Sequence, residues 1–126
     1  TILAASGIET PERMPGINLL DVCRGTPSDG EAIFGETFAH DIADIDDPTQ
    51  SLLNVWCIEG RWKLLLCCDG TIGRYQGVHG HRPRDPQLFD LLADPHETIN
   101  RCKEHPEVVQ RLNDRIEQWW PEAAGK

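Results

Sequence analysis

Two apolar runs, 51–58 (SLLNVWCI) and 61–68 (RWKLLLCC), flank the dipeptide Glu59-Gly60. Both are rich in Val, Leu, Ile, Trp and Cys, and a Gly-containing connection this short predicts an antiparallel hairpin. Lys63 alternates with Trp62 and Leu64, so one face of that hairpin is partly wet. The hairpin constrains the rest of the chain, because two strands alone are marginal in water and need further strands or a covering helix. Candidates for both are present. Segment 31–38 (EAIFGETF) has strand character, with Ala32, Phe34, Glu36 and Phe38 on one face by period two. Segment 87–92 (QLFDLL) reads as another strand. From Pro106 onward Val108, Leu112, Ile116 and Trp119 recur at helical spacing and predict a core-facing stripe that ends at Pro121. Trp119 and Trp120 read as packing residues. The expected fold class is α+β: a small antiparallel sheet of three to four strands with a long C-terminal helix packed on one face.

The connections follow from their composition. Residues 1–6 (TILAAS) read as the end of a helix stopped by Gly7. Residues 9–16, with Pro11, Pro15 and Gly16, are a linker, and 17–22 forms about one helical turn. Residues 39–50 form an acidic loop, and 69–86 a long connection with a short strand at 72–75. Asp94-Pro95-His96-Glu97 predicts a helix start, with Asp94 as cap, Pro95 at the first position and Glu97 reaching back to the Asp94 amide. His105-Pro106-Glu107 predicts a second start.

The chain has 126 residues, room for one domain of ordinary size, and carries 21 acidic against 12 basic side chains, a net charge of −9. No basic footprint for nucleic acid is visible, and no apolar run approaches the roughly 20 residues that cross a bilayer. The imbalance is local. No Lys or Arg occurs from Gly25 to Gly60, where Asp29, Glu31, Glu36, Asp41, Asp44, Asp46, Asp47 and Glu59 lie. The acidic run from Asp41 to Asp47 fails as a calcium loop, because the sixth and twelfth positions counted from Asp41 are Asp46 and Leu52 rather than Gly and Glu. Five cysteines, Cys23, Cys57, Cys67, Cys68 and Cys102, include no C-x-x-C pair and read as small buried hydrophobes. A disulfide from Cys57 to Cys67 or Cys68 is geometrically open. His79-Gly80-His81 reads as part of a surface loop.

Several of these segments together carry a resemblance. The stretch 87–100 (QLFDLLADPHETIN) resembles the "eLYDLxxDPxExxNL" segment of arylsulfatase-type sulfatases, within the alkaline-phosphatase-like superfamily, with Phe89 for Tyr and Arg101 for Leu. Residues 106–120 resemble the helix that closes that family's fold. Residues 56–66 (WCIEGRWKLLL) are similar to its "vrxgryKLi" hairpin, with Lys63 at the Lys position, and 33–36 (IFGE) to its "vfxE" strand. Residues 1–8 and 15–20 resemble the "PTiLdlaGi…GxSLLP" stretch that closes the large domain. The resemblance covers nearly the whole chain, in order.

It implies a division into residues 1–30, the tail of a large domain with its linker, and 31–126, a sulfatase C-terminal subdomain. In that family a formylglycine made from Cys or Ser in C/S-x-P-x-R attacks the sulfate sulfur, with calcium as Lewis acid. None of the five cysteines begins that pattern. The resemblance therefore implies a non-catalytic C-terminal fragment, with no cofactor of its own, whose parent holds calcium and formylglycine in a missing N-terminal catalytic domain. Glu36 and His40, at and just after the first strand, are the expected substrate-binding residues bordering the cleft. The parent's substrate would be a sulfated sugar or aryl sulfate, and its location periplasmic or extracellular. Without the large domain, apolar surface at Ile17, Leu19, Leu20 and Val22 favours self-association. The alternatives are a free-standing binding module, disfavoured for sulfated ligands by the net charge, and the C-terminal part of a related phosphodiesterase or phosphonate hydrolase.

Overall fold

The computed structural model describes residues 1–14, 16–26, 32–40, 42–68 and 85–121. Residues 69–84, with the expected strand at 72–75 and with His79 and His81, lie outside the described residues, as does Asp41. The chain divides into two compact units, Thr1–Glu31 and Ala32–Lys126.

The first unit holds two short helices, α1 (Ile2–Ala5) and α2 (Leu19–Cys23). Each ends in the same way. After α1, Gly7 at φ +69° lets its own amide reach the Ala4 carbonyl at 3.1 Å and the Ile8 amide reach the Leu3 carbonyl at 2.9 Å. After α2, Gly25 at φ +90° does the same, its amide on Val22 and that of Thr26 on Asp21. A left-handed residue satisfies the last carbonyls of a helix in this motif, and only glycine adopts it without strain. Asn18 caps α2 by accepting from the Leu20 amide at 3.2 Å. Neither helix contains a buried residue, and Ile17, Leu19 and Val22 are exposed.

The second unit is the predicted α+β layer. Four antiparallel strands, β1 (Ile33–Phe38), β2 (Leu52–Glu59), β3 (Trp62–Cys67) and β4 (Gln87–Asp90), stand in the order β1-β2-β3-β4. A single turn of 3-10 helix, Pro48–Ser51, leads into β2. One long helix, α3 (Pro106–Trp119), covers the sheet. The register puts Phe34 opposite Cys57, Glu36 opposite Val55, Cys57 opposite Leu64 and Leu64 opposite Leu88. Those side chains share one face, and Val108, Leu112 and Ile116 of α3 close over it, forming a core with Leu52. Leu52, Leu64, Leu88, Leu112 and Ile116 are fully buried. Trp119 departs from the expected stripe. It stacks on Phe34 at 5.0 Å and 12°, yet remains 41 % exposed, because the helix ends at the sheet margin.

Three expectations about connections are corrected. The hairpin turn is Gly60-Arg61, since Glu59 still pairs with Trp62, and Gly60 supplies the positive φ. The last strand stops at Asp90, where the Asp90 carboxylate accepts from the Leu92 and Ala93 amides and its carbonyl from the Asp94 amide. No helix starts at Asp94. Its carboxylate accepts from the amides of Thr98 at 2.7 Å and Ile99 at 2.8 Å, further along than a helix cap reaches. Glu97 sits at φ +55°, outside the helical region, and its carboxylate turns away from the Asp94 amide to Lys63. A capping-box sequence thus closes a turn, because side-chain bonds of Asp compete with the helical ladder.

The sheet end of α3 is tied down electrostatically. Glu59, at the tip of β2, accepts from Arg111 and Arg115, one turn apart on α3, each at 2.9 Å. Beneath this clamp lies Cys57, fully buried, whose thiol is pushed up to about 11 by burial first and by the neighbouring Glu59 second. Thiolates rather than thiols react with electrophiles. Cys57 is therefore expected to resist iodoacetamide at pH 8 in the folded protein and to react on unfolding in urea, while exposed Cys23 is labelled at once. Equal labelling rates, read by mass spectrometry, would contradict the packing.

Candidate functional site

Two regions carry the residues singled out by sequence: the end of β1 with its acidic loop, and the turn that follows β4. They do different work.

Glu36 lies in β1, an edge strand, and is exposed on the face shared with Phe34 and Val55. A register shift between Thr37 and Phe38 bends the strand there. Phe38 then tilts against Trp120 at 6.1 Å, and Trp120 meets Trp119 edge-on at 6.0 Å. Glu36 therefore stands between two aromatic contacts, Phe34 with Trp119 and Phe38 with Trp120. His40 follows two residues beyond the strand and is exposed. The loop from there to β2 is pinned at buried Ser51, whose carbonyl accepts from the Ala39 amide at 2.7 Å and whose hydroxyl accepts from the Ala43 amide at 2.8 Å. Two of its carboxylates, Asp44 and Asp47, are occupied with the loop itself. Asp47 accepts from the amide and hydroxyl of Thr49, Asp44 from the Asp46 amide, and Gln50 reaches both Asp44 and Asp47. Among the described residues no group of three or more His, Cys, Asp or Glu side chains is placed to hold a metal ion.

The turn after β4 is a scaffold. Arg61 donates through Nε to Asp90 at 2.8 Å and pairs with it again through its second nitrogen, joining the hairpin tip to the end of β4. That guanidinium holds the Asp90 carboxyl below the usual carboxylate range. Burial would raise Asp94, but the amides of Ile99 and Thr98 outweigh it and hold its carboxyl low as well. Asn100 takes the place of a fifth strand. Its oxygen accepts from the Leu88 and Cys102 amides at 3.1 and 3.0 Å, and its nitrogen donates to the Pro86 carbonyl at 3.1 Å. Lys63 donates to both oxygens of Glu97 at 2.8 Å, with its ammonium 6.0 Å from the Trp56 ring. Asp90, Asp94, Glu97, Thr98 and Asn100 therefore each have a structural duty.

Two results are expected from this turn. Carboxyls held low in the fold stabilise it above their unfolded pKa, and that contribution is lost as pH falls through the lowered value. Stability should hold above about pH 4 and drop steeply below it, less steeply in Asp94→Asn, when followed by urea melts across pH. For Lys63 and Glu97, a double-mutant cycle with Lys63→Met and Glu97→Gln is expected to give a coupling of about 1 kcal/mol, at the upper end for a partly exposed pair. A coupling of zero would mean that the pair does not hold the turn.

No model of a known protein family matches the chain. Individual proteins do. Over 70 residues, 54 % of this chain, it is 40 % identical to an N-acetylgalactosamine-6-O-sulfatase of Bacteroides thetaiotaomicron. Over 92 % of its length it is 26 % identical to arylsulfatase K of Rattus norvegicus. A solved structure from Bacteroides thetaiotaomicron, a 6S-sulfatase described under the metabolism of multiple glycosaminoglycans, superposes on 93 % of the chain with a TM-score of 0.58 and 25 % identity. The chain is similar to these sulfatases. Its likeness is to their C-terminal part. It spans 14 %, 19 % and 22 % of the lengths of these three proteins.

No Cys or Ser begins a C/S-x-P-x-R sequence, and the described residues do not form a calcium site. Cys57, the cysteine with the best-defined surroundings, is buried and held protonated, the opposite of an activated nucleophile. Glu36 lies within β1 and His40 two residues beyond its end, both exposed. The scaffold residues Asp90, Asp94, Glu97 and Asn100 went unrecognised as a bonded set in the sequence, where only their turn-forming composition signals them.

Proposed function

We propose that this chain is a non-catalytic C-terminal portion of a sulfuric-ester hydrolase, serving a larger part that supplies nucleophile and metal. What supports the reading is the ordered likeness to three sulfatases of which the chain spans less than a quarter. In this reading calcium and formylglycine belong to that larger part, and no step of the cleavage runs through these 126 residues.

The chain's contribution to substrate is at Glu36 and His40. A surface of net charge −9 repels a sulfate, so the ester group is held by cations elsewhere. Glu36, exposed on its edge strand, suits the uncharged hydroxyls of the same sugar, accepting hydrogen bonds from them. His40 sits four residues further on and can donate or accept. The substrate class is a sulfated sugar, with 6-sulfated N-acetylgalactosamine the first to try in view of the Bacteroides relative.

The test is sulfate release from 6-sulfated N-acetylgalactosamine by the longest product of the reading frame that contains this chain. Turnover is expected. Glu36→Ala is expected to raise KM by about tenfold, the loss of one hydrogen bond to a charged acceptor, with a smaller effect on kcat. No release from this sugar or from an aryl sulfate, by a folded product, would overturn the reading.

A further inference from the structure

The loop between β1 and β2 is built unlike a solvated acidic loop. Ile42 is 73 % exposed and Ile45 82 % exposed, and with Phe38 and Pro48 they line a cavity of about 260 Å³ whose polar lining residues are Asp44 and buried Ser51. Isolated exposed apolar residues are ordinary, but a contiguous apolar concavity with two isoleucines at its mouth marks a contact surface. The loop does not owe this shape to looseness. Ser51 ties it at both ends, Asp47 caps the 3-10 turn, and Gln50 bridges Asp44 to Asp47. The isoleucines are thus presented by a braced frame.

The charge around the cavity selects the occupant. Asp44 lines it, Asp46 and Asp47 follow in the same loop, and residues 39–50 carry no Lys or Arg. A second copy of this chain would bring like charge against like, which disfavours pairing through this face. We infer that the cavity of Phe38, Ile42, Ile45 and Pro48 is a docking surface for a protein partner that presents an apolar side chain ringed by Lys and Arg. In the reading proposed above, on which only the partner's identity rests, that partner is the sulfate-handling part of the hydrolase. A part that holds sulfate esters needs cationic donors near them, so its neighbouring surface is basic. An apolar socket in an acidic loop complements it, giving orientation from charge and affinity from burial.

The inference is tested on the chain itself by methyl NMR, using a helical peptide composed only of Leu and Lys as probe and a Leu/Glu peptide as control. The expected result is saturable shifts of the Ile42 and Ile45 methyls with the Leu/Lys peptide, weakening as salt rises. Ile45→Ser should weaken binding by at least about tenfold, since burial of that side chain is lost. At its exposure, this substitution should leave the amide spectrum of the sheet intact, and Ile42→Ser provides a second variant. Equal shifts from the Leu/Glu peptide would overturn the inference. So would Leu/Lys shifts confined to other surfaces, or self-association through the two methyls without any peptide. None of these outcomes depends on sulfate release, so this inference and the proposed function fail separately.

Discussion

Leu112→Ala is expected to destabilise the Ala32–Lys126 unit by about 2–5 kcal/mol, the range for deleting a fully buried leucine side chain. Leu112 is the middle of the α3 stripe, wholly excluded from water between Val108 and Ile116 and set over Leu64 and Leu88. Little can collapse into the space it leaves. The sheet below is held by its ladder, and α3 is anchored at Glu59 by Arg111 and Arg115, on either side of the deletion. Folded domains are stable by only about 5–15 kcal/mol, so the loss takes a large share of the total. Urea melts followed by far-UV circular dichroism measure it, with exposed Gln118→Ala as the control, expected within about 0.5 kcal/mol of the parent. A cost below about 1 kcal/mol for Leu112→Ala would mean that α3 does not seal the core.

Gly35→Ala is expected to cost about 1–3 kcal/mol through overpacking. Gly35 pairs with Trp56 across β1 and β2, and the indole lies directly over the glycine backbone. A Cβ placed there would fall on the ring atoms of Trp56, nearer than side chains in folded proteins approach. Moving the ring aside would also disturb the Lys63 ammonium, fixed by Glu97 and 6.0 Å from the ring centroid. The decisive comparison is the double variant with Trp56→Leu. If the clash is the cause, Gly35→Ala should cost much less in that background, and an additive result would contradict it.

These two positions differ in how far the sequence reveals them. The α3 stripe is legible because its pattern is local: Val108, Leu112 and Ile116 at helical spacing announce a buried face, and the hairpin is equally plain from two apolar runs around one glycine. The place of Gly35 under Trp56 is not legible, since it depends on the register between two strands 21 residues apart in the pairing Gly35–Trp56. The Glu59 clamp is hidden for the same reason. The sequence around Asp94 misleads outright, because Asp-Pro-x-Glu satisfies a helix cap and a closed turn equally well, and the choice is made by Lys63, which draws Glu97 across the gap. The site is the least legible part. Nothing in spacing or composition distinguishes Glu36 and His40 from other exposed polar residues. They emerge through resemblance, and the structure adds the aromatic neighbours of Glu36 and the braced apolar socket beside it.

Hydrolysis of para-nitrophenyl sulfate, compared between the 126-residue chain alone and the longest product of its reading frame, tests most directly whether this chain serves a sulfatase without performing its chemistry. The chain alone is predicted to give no turnover above the uncatalysed rate, and the longer product to release nitrophenol. Turnover by the chain alone, or none by a folded longer product that carries C/S-x-P-x-R, would contradict it.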